Sequence, residues 1–302
     1  MKQMTMGSGQ FRYEAEIGWG SMPDGDRIRN ASTLAVDKQD RLYAFCRQGP
    51  AIRVFEPDGR FIVGWGEGMF VNPHGIGLSP DGLIYCVDNK GHTVTSFTFE
   101  GEMVRTWGMR GNPSDTGYMP QVSKLARVGA PFAYPTSVAF NPAGEMFVGD
   151  GYGNCRVHKF SPEGDPLLSW GEPGSGPGQF NTVHDVFVDA KGRVLVCDRG
   201  NNRLQAFTDT GEFLFETPVR KKPNAVAADA QGFIYALDDK HVHIYSDQGD
   251  LLSVWGQRAG NPDATDDELI TAVHGMAVDS SGNIYTGCDR HARYVRKHVR
   301  AH

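Results

Sequence analysis

His74, His184 and His274 each open a segment of the same design: HGIGLSPDGLIYCV, HDVFVDAKGRVLVC and HGMAVDSSGNIYTG. Neutral imidazoles that meet at one point are ligands for Zn²⁺, and equally for Fe²⁺ or Mn²⁺. Three protein ligands leave coordination positions open, the pattern of a catalytic rather than a structural zinc. The chain holds ten histidines. His92, His158, His241, His243, His291 and His298 lie outside this register and read as surface or loop residues.

Three ligands so far apart in sequence need elements that bring them together, and the sequence supplies them as a repeat. Between the three histidine segments lie STLAVDKQDRLYAF from Ser32, TSVAFNPAGEMFVG from Thr136 and NAVAADAQGFIYAL from Asn224. All six pair a short alternating apolar run with a second one across a polar turn. Such period-two runs, broken by glycine-containing turns, predict antiparallel meanders. A third run follows (RVHKF, RLQAF, VHIY), then a fourth that usually ends in Trp-Gly. Four strands per unit of about forty residues, without helical signals, predict an all-β fold, a six-bladed β-propeller. The histidines fall in units two, four and six, about 120° apart around such a ring.

All five tryptophans, Trp19, Trp65, Trp107, Trp170 and Trp255, precede a glycine. Trp19 comes before the first full unit, and the last unit ends after its third strand. An N-terminal strand within residues 11–20 is therefore expected to complete the sixth blade and remove its free edge. The whole of 1–302 reads as a single domain, with residues 1–10 flexible. The connections after Trp107 and Trp255 read as insertions.

Composition narrows the function classes. A net charge of −6 argues against a broad nucleic-acid surface. No apolar run is long enough to span a membrane, and MKQMTMGSGQ lacks the apolar core of a secretory signal. Five cysteines with no C-x-x-C spacing fit reduced thiols, and the expected compartment is the cytoplasm. Oligomeric state is not legible.

In a meander the start of the first strand and the end of the second share a face. Residues that follow the second strands, Arg47, Tyr152, Arg199 and Arg290, should then surround the same mouth as the histidines. Arg199 and Arg290 follow an Asp-Arg loop pattern and read as structural.

On these residues the chain resembles NHL-repeat propellers, and specifically peptidyl-α-hydroxyglycine α-amidating lyase. NPHGIGLSPDG, TVHDVFV and AVHGMAVD resemble the segments carrying that family's three zinc ligands, DGYGN the segment of its catalytic tyrosine, and YAFCRQG that of its active-site arginine. The resemblance runs from about Ser32 to Val295. It implies a zinc held by His74, His184 and His274, with Tyr152 and Arg47 as catalytic residues. It implies cleavage of a C–N bond in an α-hydroxyglycine, giving an amide and glyoxylate. The family's aspartate after the third ligand, tied to a structural calcium, is Gly275 here. Asp185 follows the second ligand instead, and calcium stays open.

The expectation is a metal-dependent lyase acting on a small α-hydroxylated, carboxylate-bearing molecule. Tyr152 takes a hydroxyl proton, helped by nearby positive charge, since a free phenol with pKa about 10 is a poor base at neutral pH. Two alternatives stand beside it: a metal-dependent hydrolase or hydratase in the same pocket, and a non-catalytic NHL interaction module.

Overall fold

The computed structural model describes residues 5–119, 125–256, 272–288 and 294–301. Six antiparallel sheets succeed one another along the chain. Blade one comprises Ala31–Val36, Leu42–Cys46, Ile52–Phe55 and Phe61–Trp65. Blade two is Pro73–Leu78, Ile84–Asp88, Thr93–Phe97 and Met103–Gly108, and blade three is Ser137–Phe140, Met146–Asp150, Arg156–Phe160 and Pro166–Trp170. Blade four is Val183–Val188, Val194–Asp198, Arg203–Phe207 and Phe213–Pro218, and blade five is Ala225–Ala228, Ile234–Leu237, His241–Tyr245 and Leu251–Gly256. Blade six takes Gly275–Val278, Ile284–Gly287 and Arg296–Ala301 from the C-terminal side, and Phe11–Ala15 from the N-terminal side. The fold is an all-β six-bladed propeller with four antiparallel strands per blade.

The N-terminal strand lies against the last one, with Tyr13 opposite Arg300 and Ala15 opposite His298. It ends at Ala15, so Trp19 lies in the connection that follows and not in the strand. Residues 1–10 were expected to be loose. Thr5–Ser8 instead adds a fifth strand outside Phe11–Ala15, with Met6 opposite Tyr13. Met6 and Tyr13 are both buried, and this apolar contact holds the segment in place.

Each inner strand packs against the inner strand of the next blade, and the series closes from blade six back to blade one. Second strands are buried along their full length because both faces are covered by neighbouring blades. The fourth strands of blades two and three face solvent, with no residue of Met103–Gly108 or Pro166–Trp170 buried, whereas Phe11–Ala15 of blade six buries Phe11, Tyr13 and Ala15. Among the described residues the apolar core divides into six clusters, one per blade interface. One representative holds Phe147, Val157, Val186 and Phe207, between blades three and four.

Two features went unread in the sequence. Glu172–Pro173 and Gln179–Phe180 form a small parallel pair leading into blade four. Four of the histidines assigned to surface or loops, His92, His158, His243 and His298, are buried, the last three on strands. His158 and His243 share one third-strand position in blades three and five, each bonded to the aspartate at or just after the end of the second strand. His291 and Arg290 lie outside the described residues, as does most of the connection after Trp255. Among the described residues no helix is long and apolar enough to cross a membrane.

Candidate metal centre

The three histidines stand where the inner strands of blades two, four and six begin, and they are 3%, 1% and 8% exposed. Their ring centroids are 4.8–5.0 Å apart in every pairing. One rule fixes their orientation. Each Nδ1–H donates to the main-chain carbonyl at the aligned position of the following blade: His74 to Thr136 at 2.7 Å, His184 to Asn224 at 2.8 Å and His274 to Ser32 at 2.7 Å. A ring whose Nδ1–H is held this way presents Nε2 as its ligand atom. The odd-numbered blades thus supply orienting carbonyls and the even-numbered blades supply imidazoles.

The ligand atoms of the three rings lie within 4.8 Å of one another. The space between them is about 10 Å³, with Ser32, Thr136 and Asn224 completing its wall. That is room for one water-sized occupant. Burial, then His274, Arg199 and His74 in turn, hold the His184 pKa well below its ordinary value. A neutral, buried, correctly oriented imidazole set fits a divalent borderline ion such as Zn²⁺.

Tyr152 reaches this cluster from the connection after the second strand of blade three. Its hydroxyl donates to His184 Nε2 at 3.0 Å and lies 3.4 Å from His74 Nε2. Arg199 Nη1 donates to the same hydroxyl oxygen at 3.3 Å. Arg199 was read from sequence as structural, yet its guanidinium touches the phenol. Its position after the second strand of blade four, equivalent to that of Tyr152 in blade three, had placed it at this mouth, and the Asp-Arg loop pattern outweighed that signal. Arg47 is placed beside His74, its Nε donating to Pro73 O at 3.2 Å.

The turn that carries Tyr152 is held from two sides. The buried carboxylate of Asp150 accepts from Ala133 N at 2.9 Å and from Asn154 Nδ2 at 2.6 Å. Asn154 in turn pairs with both main-chain groups of Gly129, at 2.9 and 2.7 Å. The insertion between blades two and three is thereby tied to the tyrosine's own turn.

Below the histidines a cavity of about 280 Å³ runs along the axis, lined mainly by apolar side chains such as Leu34, Ile76, Val138 and Met276. Asp185 is the one carboxylate among its lining residues. Burial pushes Asp185 up to about 7, against two main-chain N–H groups, Val226 and Val186, that donate to it. Ca²⁺ takes six to eight oxygens from carboxylates, main-chain carbonyls and water, and Asp185 offers the cavity one such carboxylate. At the position where the resembling family carries aspartate, Gly275 packs directly on blade one. A Cβ there would sit 2.5 Å from Thr33 Cα and 2.8 Å from Ser32 O.

Comparison with known proteins places these observations. A family model described as NHL repeat matches residues 180–207, which span the inner three strands of blade four. NHL repeat-containing protein 3 of Mus musculus is 34% identical over 222 residues, covering 67% of this chain and 58% of that protein. The chain thus spans little more than half the length of that relative. The probable peptidyl-alpha-hydroxyglycine alpha-amidating lyase pgal-1 of Caenorhabditis elegans is 26% identical over 280 residues, covering 83% of this chain and 75% of that one. Among solved structures, a gluconolactonase from Xanthomonas campestris superposes with a TM-score of 0.63 at 12% identity, over 96% of this chain and 90% of that one. This last likeness is one of fold.

Proposed function

Starting from an NHL-repeat six-bladed propeller that resembles the amidating lyases, we propose that the chain is a metal-dependent lyase for a small α-hydroxylated, carboxylate-bearing substrate. The observation that carries this reading is the Tyr152 hydroxyl, set between His184 Nε2 at 3.0 Å and Arg199 Nη1 at 3.3 Å. His74, His184 and His274 would hold the ion, most simply Zn²⁺. When bound, such an ion polarises a coordinated oxygen and makes its proton easier to remove.

The chain's own groups then divide the work. Tyr152 accepts the proton of the substrate's α-hydroxyl. The freed oxygen pair closes to a carbonyl, the C–N bond breaks, and the nitrogen leaves with its electron pair and takes up a proton. The products are an amide and an α-oxo acid. Arg199 stabilises the phenolate by its positive charge, which is how a phenol becomes a base near neutrality. Arg47, whose Nε donates to Pro73 O next to His74, receives the substrate carboxylate. The low solvent exposure of the imidazoles strengthens each of these charge interactions.

The test is product analysis on α-hydroxyhippurate, with glyoxylate as the readout. Tyr152→Phe is expected to lower kcat by about 100-fold or more with little change in KM, the usual scale for loss of a general base. Undiminished glyoxylate release in that variant would overturn the role. Turnover without glyoxylate would move the pocket to hydrolysis or hydration. A chain that takes up no stoichiometric divalent ion and turns nothing over would be a non-catalytic interaction module.

A further inference from the structure

Each of blades two to five carries an aspartate at or just after the end of its second strand, and in three of them it organises the local turn without any ion-binding set. Asp88 accepts from the main-chain nitrogens of Val71, Asn72 and Gly91. Asp150 accepts from Ala133 N, Asn154 and His158. Asp198 accepts from Asn181 N, Asn201, Arg203 and Gln205.

The side chains facing this aspartate come from two positions of the third strand, two residues apart and therefore on one face. They are Thr93 and Thr95 in blade two, Arg156 and His158 in blade three, and Arg203 and Gln205 in blade four. In blade five they are His241 and His243. Among the described residues, only this blade pairs the aspartate with two imidazoles. A turn held in blade two by main-chain N–H groups, in blade three by a main-chain N–H, an amide and one imidazole, and in blade four by amides and an arginine has become a set of ligand atoms, Asp-x-x-His-x-His.

The geometry follows suit. Asp238 Oδ2 lies 3.0 Å from His243 Nε2 and 3.3 Å from His241 Nδ1. Donors bound at about 2.0–2.1 Å to a tetrahedral ion are separated by roughly 3.3 Å. All three ligand atoms fall within 4.8 Å of one another. The carboxylate's other oxygen, Oδ1, is anchored by Lys240 N at 2.7 Å and His241 N at 2.8 Å. Oδ2 is thus presented in a fixed direction while the anchor stays intact. Asp238 and His243 are 3% exposed, whereas the His241 side chain is 19% exposed, which gives an entry path and an open coordination position to water.

We propose that Asp238, His241 and His243 form a second divalent-metal site, for Zn²⁺ or an ion of similar preference, on the mouth-side turn of blade five. The donor set is one carboxylate and two imidazoles with water completing a tetrahedron. The ion braces the turn. It replaces the hydrogen bonds within the turn by bonds to one ion and clamps the start of the third strand to the end of the second. The site is independent of the lyase reading, since it shares no residue with the axial histidines.

The experiment uses the full chain, freed of metal by chelation and then dialysed against Zn²⁺, with bound zinc counted per chain. Two ions are expected for the unaltered chain, one for His274→Ala, and one for His241→Gln. The double variant His241→Gln/His274→Ala should retain none. Co²⁺ substituted into His274→Ala should show the visible absorption of a tetrahedral nitrogen–oxygen site, lost again with His241→Gln. A His274→Ala chain that binds no stoichiometric zinc would overturn the proposal. If instead the axial site is the one that fails, the unaltered chain would bind one ion, lost with His241→Gln and kept with His274→Ala. His241 is partly exposed, so its conservative replacement tests the site even where the buried His243→Gln does not fold.

Discussion

At the scale of single residues, the position after each axial histidine decides what the neighbouring blade tolerates. Gly275 is the clearest case, because a Cβ would meet the backbone of blade one at 2.5 Å. Gly75 has the same problem, with Thr136 O at 2.4 Å from its would-be Cβ. Asp185, after the histidine of blade four, is accommodated because its carboxylate accepts Val226 N of blade five at 3.0 Å. At Gly275 the backbone of blade one stands where the side chain of the resembling family's aspartate would begin. Gly275→Asp is expected to cost about 2–4 kcal/mol through overpacking and an added buried charge. Thermal unfolding should show the midpoint several degrees lower, and an unchanged midpoint would contradict the close approach. The same glycine-plus-histidine pair was visible in the sequence, but the distance to Thr33 was not. Neither was the contact of Arg199 with Tyr152, since one sits in blade four and the other in blade three.

At the scale of the element, three of the five Trp-Gly pairs staple one blade to the next, while the indole nitrogens of Trp170 and Trp255 have no hydrogen-bond partner. The indole N–H groups of Trp19, Trp65 and Trp107 donate to the carbonyls of Pro57, Phe99 and Gly164, each in the outer turn of the next blade, at 3.0–3.1 Å. The ring then lies flat over that turn's glycine. Gly101 has φ +89°, and a Cβ on it would meet the Trp65 ring at 2.7 Å. Two independent penalties therefore coincide at one position, left-handed backbone and loss of ring contact. Gly101→Ala is expected to destabilise the chain by about 2–3 kcal/mol, read from the urea midpoint. An effect under about half a kcal/mol would mean that the turn can open without disturbing the staple. Blade four lacks the tryptophan and uses Thr217 instead, whose hydroxyl donates to Gly249 O at 2.8 Å. The Trp-Gly repeat could be read from sequence as a periodic mark. Its partner could not, because the acceptor belongs to the following unit.

At the scale of the whole molecule, the ring holds only if blade six is completed across the two ends of the chain. Tyr13 on the N-terminal strand stacks on Trp255 of blade five at 5.0 Å, and Trp255 meets His298 of the C-terminal strand edge-on at 5.3 Å. His298 is fully buried, and neither ring nitrogen has a hydrogen-bond partner. Burial, with Arg296 adding to it, lowers its pKa from the ordinary 6.5 to about 3. The unfolded chain therefore binds this proton below pH 6.5 while the folded chain refuses it down to about pH 3. The contribution to stability is complete above pH 6.5 and is lost progressively as the pH falls towards 3. His298→Leu should flatten the acid limb of stability against pH between 6.5 and 4, measured by urea unfolding, and an unchanged slope would show that closure is insensitive to this ring. What the sequence alone determined is whatever repeats: six units, four strands in each, and three histidines at one register. Local alternation and turn chemistry are written within each unit, and identical positions in a repeat must occupy equivalent places in space. What only the tertiary structure decided is whatever crosses from one unit to the next. The carbonyls that orient His74, His184 and His274, the guanidinium at Tyr152 and the backbone pressed against Gly275 all belong to neighbouring blades, and such distances follow from packing between sheets, which no single segment encodes.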